Sequence, residues 1–294
     1  MEALPQLFIN TLQIGSVYVL FALGLTLIFG VMRIINFAHA EFFTLAALVF
    51  AVTLRWAEKS LGWPLWADYL GAAAAAIVVV IVLGMLIYQF AFQRYLRDLV
   101  AGFILSLGLV LLLQGAMFDI FGGLPQPMPA LLTGNTKIFG ATLTDQRLLL
   151  CGLSIAITVG LYLMINRTRL GLALRAMAED HEAAMLQGMP YRRIALFGFL
   201  IGVTLAALAG VMIAPLSVVV PTLGADYLIK AFMIVIVGGL GSLPGAILAS
   251  FVIAFVESLV GFVWDLTTAT IIMFAVVIVL LLVRPQGLLG HAER

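Results

Sequence analysis

The stretch "LFINTLQIGSVYVLFALGLTLIFGVMRIINFAHAEFF", residues 7–43, decides the fold. Residues 7–32 carry no charged side chain and are long enough to cross a bilayer, which takes roughly 20 apolar residues. Arg33, Asn36, His39 and Glu41 then follow within nine residues, before a second apolar run begins. Polar groups are costly in hydrocarbon, so each needs a cap, a water-filled space or a partner.

The rest of the chain extends this pattern. Of 294 residues, 64% are hydrophobic and only 10% charged, with mean hydropathy +1.20. A soluble domain is about 25% charged and cannot bury this much hydrocarbon in one core, so the expected class is an all-α polytopic membrane protein. The net charge of +1, with its basic residues scattered, excludes a nucleic-acid surface. The single cysteine, Cys151, reads as packing filler, and no metal or haem spacing is present. No Lys or Arg precedes Arg33, so residues 7–32 read as a retained helix and not as a cleaved leader.

Apolar runs predict crossings at 7–32, 69–92, 99–118, 148–165, 194–220, 245–263 and 268–283. Two further runs, 36–54 and 227–241, are short or interrupted, which gives eight to nine helices. With nine, ten basic residues fall on one side: Arg33, Arg94, Arg97, Arg167, Arg169, Arg175, Arg192, Arg193, Arg284 and Arg294. Five fall on the other: Arg55, Lys59, Lys137, Arg147 and Lys230. Cytoplasmic loops are the basic ones, so the expected N-terminus is external and the C-terminus cytoplasmic. Residues 55–68, with Trp56, Trp63 and Trp66, read as an amphipathic segment on the external surface, and 119–147 as an external loop.

The crossings divide into a first repeat at 7–118, a linking helix and loop at 148–193, and a second repeat at 194–283. An odd number of crossings between equivalent helices inverts one repeat relative to the other. In each repeat the second helix is the interrupted one, and matched broken helices point to a substrate path. The candidate pathway or gate residues are therefore Asn36, His39 and Glu41 in one half and Asp226, Gly238, Gly239, Gly241 and Ser242 in the other. Simpler readings compete with this. Asn36 is a helix cap and Glu41 complements the helix dipole. The topology puts His39 and Glu41 close to the cytoplasmic end, where the cost of burial is lower. "VGGLGSLPG" (237–245) is a tight hairpin turn with Pro244 at a helix start. Asp226 caps the helix from 227, and Lys230 snorkels to the headgroups.

Residues 167–194, "RTRLGLALRAMAEDHEAAMLQGMPYRRI", are rich in helix formers up to Gln187, with Asp180 as an internal cap and Gly188-Met189-Pro190 as a stop. Their mix of Ala, Leu and Met with Arg175, Glu179, Asp180 and Glu182 suits a helix that docks in a protein groove. Resting on the membrane face is the alternative.

At this point the chain resembles a family: the permease subunits of ATP-binding-cassette importers for branched-chain amino acids, the LivH-like group. The resemblance is carried by "GLTLIFGVMRIINFAHAEFF" (24–43), "TRLGLALRAMAEDHEAAMLQGM" (168–189), "GGLGSLPGAILASF" (238–251) and "RPQGLLG" (284–290). It implies a pore half in a bacterial inner membrane, paired with a similar permease subunit or with itself. It further implies two ATPase subunits and an external solute-binding protein, with no cofactor. Its coupling helix would comprise Gly171, Arg175, Ala176, Asp180, Ala183, Ala184 and Gly188. The family usually has Gly where Ala40 stands, and the Glu182-Ala183-Ala184…Gly188 sequence lacks the later Ile-x-Leu-Pro of related loops. Urea, other amides and aromatic acids are alternative substrates for such permeases. With no G-x-x-x-x-G-K-[ST] loop, ATP hydrolysis belongs to a partner, and the chain itself is no enzyme. A rival of another class is an ion-coupled secondary transporter, for which Glu257 is the candidate mid-membrane acid.

Overall fold

The computed structural model describes residues 3–96, 98–138 and 141–290. Arg97 and Arg294, both counted in the charge bias, lie outside the described residues. Eight helices are long and apolar enough to cross a membrane. They are α1 (Ala3–Met32), α2 (His39–Ser60), α3 (Leu65–Phe90), α4 (Leu99–Phe121), α5 (Asp145–Arg167), α8 (Tyr191–Ile213), α10 (Leu243–Val263) and α11 (Leu266–Val283). The short α9 (Leu223–Gly238) and the paired α6 (Arg169–Glu179) and α7 (His181–Leu186) complete the helices. The expected all-α polytopic fold is therefore the observed one.

Residues 119–147 contain a hairpin that hydropathy does not show. Strands β1 (Asn135–Ile138) and β2 (Ala141–Thr144) pair antiparallel, with Asn135 opposite Thr144. They lie beside the start of α1, where Gln6 Oε1 accepts from Thr142 N at 3.2 Å. We call this end of the bundle the hairpin side, and the end carrying α6 and α7 the loop side.

α1 is the axis of the core. Apolar residues all around it are buried, from Leu20 and Phe21 to Ile28 and Met32, as expected of a helix with no polar face. It packs along α10 and α8. Glycines set the closeness of these contacts. A Cβ on Gly202 of α8 would stand 2.7 Å from Gly24 O of α1, and one on Gly15 of α1 would enter the Phe251 ring of α10. Small residues permit such backbone approach, and dispersion from the interlocked side chains supplies the adhesion.

The remaining contacts come in pairs that exchange the two halves. α1 meets α10 as α8 meets α3, and α2 packs on α8 as α9 does on α1. α2 lies against α3 and α4 as α9 lies against α10 and α11. The pairs α1–α8 and α2–α9 map onto themselves. The exchange fails where α10 packs along α11, with no comparable contact between α3 and α4 among the described residues.

Candidate translocation pathway and coupling surface

α1 ends because Arg33 takes a left-handed backbone, φ 55°, with its N–H still donating to Phe29 O. Residues 33–38 are not helical. Asn36 does not cap α2 as expected; the capping position is Ala38, which makes no side-chain cap. Asn36 instead holds the turn before it. Its Oδ1 accepts from Ala38 N at 3.1 Å and its carbonyl accepts from His39 N at 3.3 Å.

This non-helical segment turns back along α1. His39 Nε2 lies 3.1 Å from Phe21 O, and Phe21 stands eleven residues before Met32. At 1.5 Å per helical residue that is about 16 Å inward from the end of α1, near the middle of a ~30 Å hydrocarbon layer. The six non-helical residues 33–38 thus carry the chain back about as far as eleven helical residues advance it. Hydropathy counts residues and not rise, so the expected position of His39 and Glu41 close to the end of the bundle is corrected to mid-span. The same displacement carries α2 on to Ser60, so Arg55 to Ser60 are helix and not part of a surface segment. Trp56, Trp63 and Trp66 stay exposed on that side.

The second half repeats the device. α8 gives way to a 3-10 turn at Ala214–Leu216, then to extended residues, and α9 starts at Leu223. Gly224 N donates to Thr44 Oγ1 at 2.9 Å, and a Cβ on Gly224 would stand 2.3 Å from Ala40 O. The N-terminal ends of α2 and α9 therefore meet side by side at mid-span. A run of rings lines the meeting: Phe21 with His39 at 4.8 Å, Phe21 with Phe43 at 5.0 Å, and Phe43 with Tyr227 at 4.8 Å.

The two ends differ in polarity. Asn36, His39 and Glu41 are buried, and Asn36 Nδ2, His39 Nδ1 and Glu41 Oε2 have no partner among the described residues. Buried polar atoms are nearly always satisfied, so three orphans within six residues mark a place where water or a ligand is required. On α9, Asp226 makes no cap; the capping position is Thr222, and Asp226 lies in the first turn. It is exposed together with Thr222, Ala225 and Ile229 on one helix face. An exposed carboxylate at mid-span faces either an aqueous space or another subunit.

Lys230 is also corrected. It does not reach the headgroups: its Nζ pairs with Glu257 Oε1 of α10 at 2.6 Å, and Tyr18 of α1 donates to Glu257 Oε2 at 2.5 Å. Because α9 begins deep, Lys230 lies where no headgroup is within its reach. The pair links positions 27 apart in the chain and Tyr18 is 239 residues from Glu257, so no local pattern shows it.

Gly238, Gly239, Gly241 and Ser242 are not with this group. They form the α9–α10 turn, 14 residues beyond Gly224 and therefore roughly 21 Å away on the loop side. Gly239 (φ 99°) and Gly241 (φ 81°) supply backbone that other residues avoid. Ser242 Oγ caps α10 by accepting from Gly245 N at 3.2 Å. The C-terminal stretch closes the end of α9: Leu288 N donates to Val237 O at 2.7 Å and Leu289 N to Gly238 O at 3.2 Å. That explains the "RPQGLLG" motif, whose amides satisfy carbonyls that a helix end leaves open.

The first loop helix, α6, comes close to this turn across the end of α1. Ala178 of α6, Gly30 of α1 and Gly241 line one small cavity of about 50 Å³. Arg33 Nη2 approaches Glu179 O at 3.5 Å. Asp180 breaks the stretch in two, as its capping chemistry predicts. It accepts from Glu182 N at 2.9 Å and Ala183 N at 3.0 Å. The Ala183 N–H, first among its partners, holds the carboxyl below the usual range. Gly188 stops α7 with φ 80°. Of the expected coupling residues, Gly171 and Ala184 face inward: a Cβ on Gly171 would stand 2.3 Å from Ile165 O. Arg175, Asp180, Ala183 and Gly188 face outward, with Ala176 between. Leu172 and Leu186 share the outward surface, Leu186 at 87% exposure.

Eight apolar helices, with α2 among them meeting the short α9 at mid-span, define a multi-pass membrane protein of the transport type. A family profile described as "Branched-chain amino acid transport system / permease component" matches residues 7–282, and the chain belongs to that family. It is 33% identical over 298 residues to the high-affinity branched-chain amino acid transport system permease protein BraD of Pseudomonas aeruginosa, covering 98% of this chain and 96% of that one. To the corresponding protein LivH of Escherichia coli K12 it is 31% identical over 301 residues, covering 99% and 96%. A ribose import permease protein, RbsC of the same organism, is 26% identical over 262 residues, covering 85% of this chain and 76% of that one.

Proposed function

We propose that this chain is the permease subunit of an ATP-binding-cassette importer. It forms half of the pathway for branched-chain or related hydrophobic amino acids delivered by a solute-binding protein. In this reading it is a multi-pass protein of the bacterial inner membrane, with the loop side cytoplasmic and the N-terminus external. It pairs with a second permease subunit or a copy of itself, and two ATPase subunits dock on α6 and α7. The chain binds no ATP; hydrolysis takes place in those partners.

One observation carries the mechanism. α6, which carries Arg175 of the outward surface, lines one cavity with the end of α1 and Gly241 of the Gly238–Ser242 turn, and α7 packs on α6. That turn ends α9, whose other end meets α2 at mid-span. Closure of the ATPases would push the loop helices as a rigid body. Through Gly241 the push would shift α9 along α2 and change which side reaches the mid-span groups. Asn36, His39 and Glu41, with their orphan atoms, and Asp226 on the exposed face of α9 are the pathway residues. Gly238, Gly239, Gly241 and Ser242 form the hinge that transmits the motion. The exchangeable packing of the two halves supports an inverted repeat, with α1–α4 and α8–α11 as its units.

The test is Arg175→Glu combined with Gly188→Leu in a reconstituted importer. The expected result is loss of ATPase co-purification and of ATP-driven leucine uptake, with membrane insertion unchanged. Normal co-purification and uptake in that variant would remove the coupling role. Uptake persisting in vesicles without the ATPases would instead favour ion-coupled transport.

A further inference from the structure

A cleft of about 570 Å³ opens on the loop side between the α3–α4 connection and the entry to α8. Arg94 lines one wall, Arg192 and Arg193 the other, and Met185 and Met189 close it beneath α7. The ion pair among the described residues is Lys230–Glu257, so none of these three arginines has a carboxylate partner among them. Asp98, the acid nearest to Arg94 in sequence, uses its Oδ1 to cap α4 through Ala101 N at 2.9 Å. Three exposed guanidinium groups around one space give it a positive field that favours an anion.

The walls are tied together without the ligand. Tyr88 of α3 donates to Arg192 O at 2.6 Å, and Tyr191 donates to Leu96 O at 3.2 Å. The space is therefore held open and does not depend on flexible side chains meeting. Its surroundings select the anion. Phe90, Leu99 and Val100, close to Arg94 in the chain, are 68%, 55% and 67% exposed at the ends of α3 and α4. Such residues at the ends of spanning helices face acyl chains, so the mouth of the cleft stands at headgroup level. A phosphate with hydrocarbon beside it fits this arrangement, and guanidinium forks match phosphate geometry.

We infer that this cleft binds the phosphate of an anionic phospholipid in the leaflet on the loop side, and that the bound lipid braces the base of α7. The inference requires only that the chain spans a membrane, and it stands or falls apart from the transport reading. Basic pockets between spanning helices recognise headgroups by this charge, with each basic residue near the surface worth about a fivefold change in binding.

The experiment is native mass spectrometry of the detergent-purified full chain with added phosphatidylglycerol, phosphatidylcholine or inorganic phosphate. Wild type should retain phosphatidylglycerol over phosphatidylcholine, and millimolar phosphate should not displace it. R94Q, R192Q and R193Q should each lower retention about fivefold, and all three together on the order of a hundredfold. The matching Arg→Lys variants should keep most of it. Equal retention of the two lipids by wild type overturns the inference without any variant. Displacement by inorganic phosphate overturns the lipid assignment in favour of a soluble anion. Undiminished phosphatidylglycerol on the triple variant also overturns it. If that variant at the same time loses ATPase co-purification, the cleft belongs to the ATPase interface.

Discussion

α2 and α9 both begin halfway across the bundle, yet they arrive there in different states. α2 enters with Asn36, His39 and Glu41 buried and partly unsatisfied. α9 enters with Asp226 exposed and Lys230 tied to Glu257. Their surroundings account for the difference. α2 is enclosed by α3, α4, α8 and α9, so its polar atoms meet only what the protein encloses. α9 packs on α1, α2, α10 and α11 but leaves the Thr222–Asp226 face open. The same backbone device thus builds a fixed wall in one half and an accessible face in the other.

Breaking the ion pair should have the largest effect on this contrast. Glu257→Ala leaves the partly buried Lys230 ammonium without its paired carboxylate, a loss of up to about 3 kcal/mol. A lower thermal unfolding midpoint in detergent would register it. Lys230→Met with Glu257→Leu should recover most of the stability, because two apolar side chains need no pairing. A double variant as unstable as the single one would mean that α9 is held by something else.

A smaller loss is expected where the two helices touch. Gly224→Val places methyl groups against Ala40 O and Thr44 Oγ1, 2.3 and 2.5 Å from the position of the new Cβ. Overpacking of this kind costs about 1–3 kcal/mol. Gly108→Ala on α4, where nothing stands within 4 Å, is the control and should leave the midpoint unchanged. Equal midpoints for the two variants would show that the helix ends do not meet as described.

The smallest change in stability belongs to Glu41→Gln, which replaces a carboxyl whose Oε2 has no partner among the described residues. We expect it to remain within about 1 kcal/mol of the parent while altering uptake kinetics. Destabilisation equal to that of Glu257→Ala would show that Glu41 is paired, and the contrast between α2 and α9 would disappear.

Much of this was legible in the residues themselves, for local reasons. Asp180 splits the loop helix because an Asp side chain reaches the amides two and three residues on. Gly188, Gly239 and Gly241 mark chain reversals because their backbone must turn left-handed. The apolar runs locate the helices because only helices of that length satisfy their backbone in lipid. The depth of His39 and Glu41 is not legible in the sequence because a segment's rise depends on its conformation. Adjacency predicts caps at Asn36 and Asp226, but α2 starts at His39 and α9 at Leu223, so the capping positions are Ala38 and Thr222.

By itself the sequence determined the class of protein, most of its spanning segments and the two-part loop helix. All of these follow from hydropathy and from contacts within a few residues. Only the tertiary structure decided that α2 and α9 meet at mid-span, that Lys230 answers Glu257 and Tyr18, and that the C-terminal amides close α9. Those depend on side chains and backbone brought together across tens to hundreds of residues. In a bilayer that offers them no water, such groups settle on whichever partner the packing places within reach.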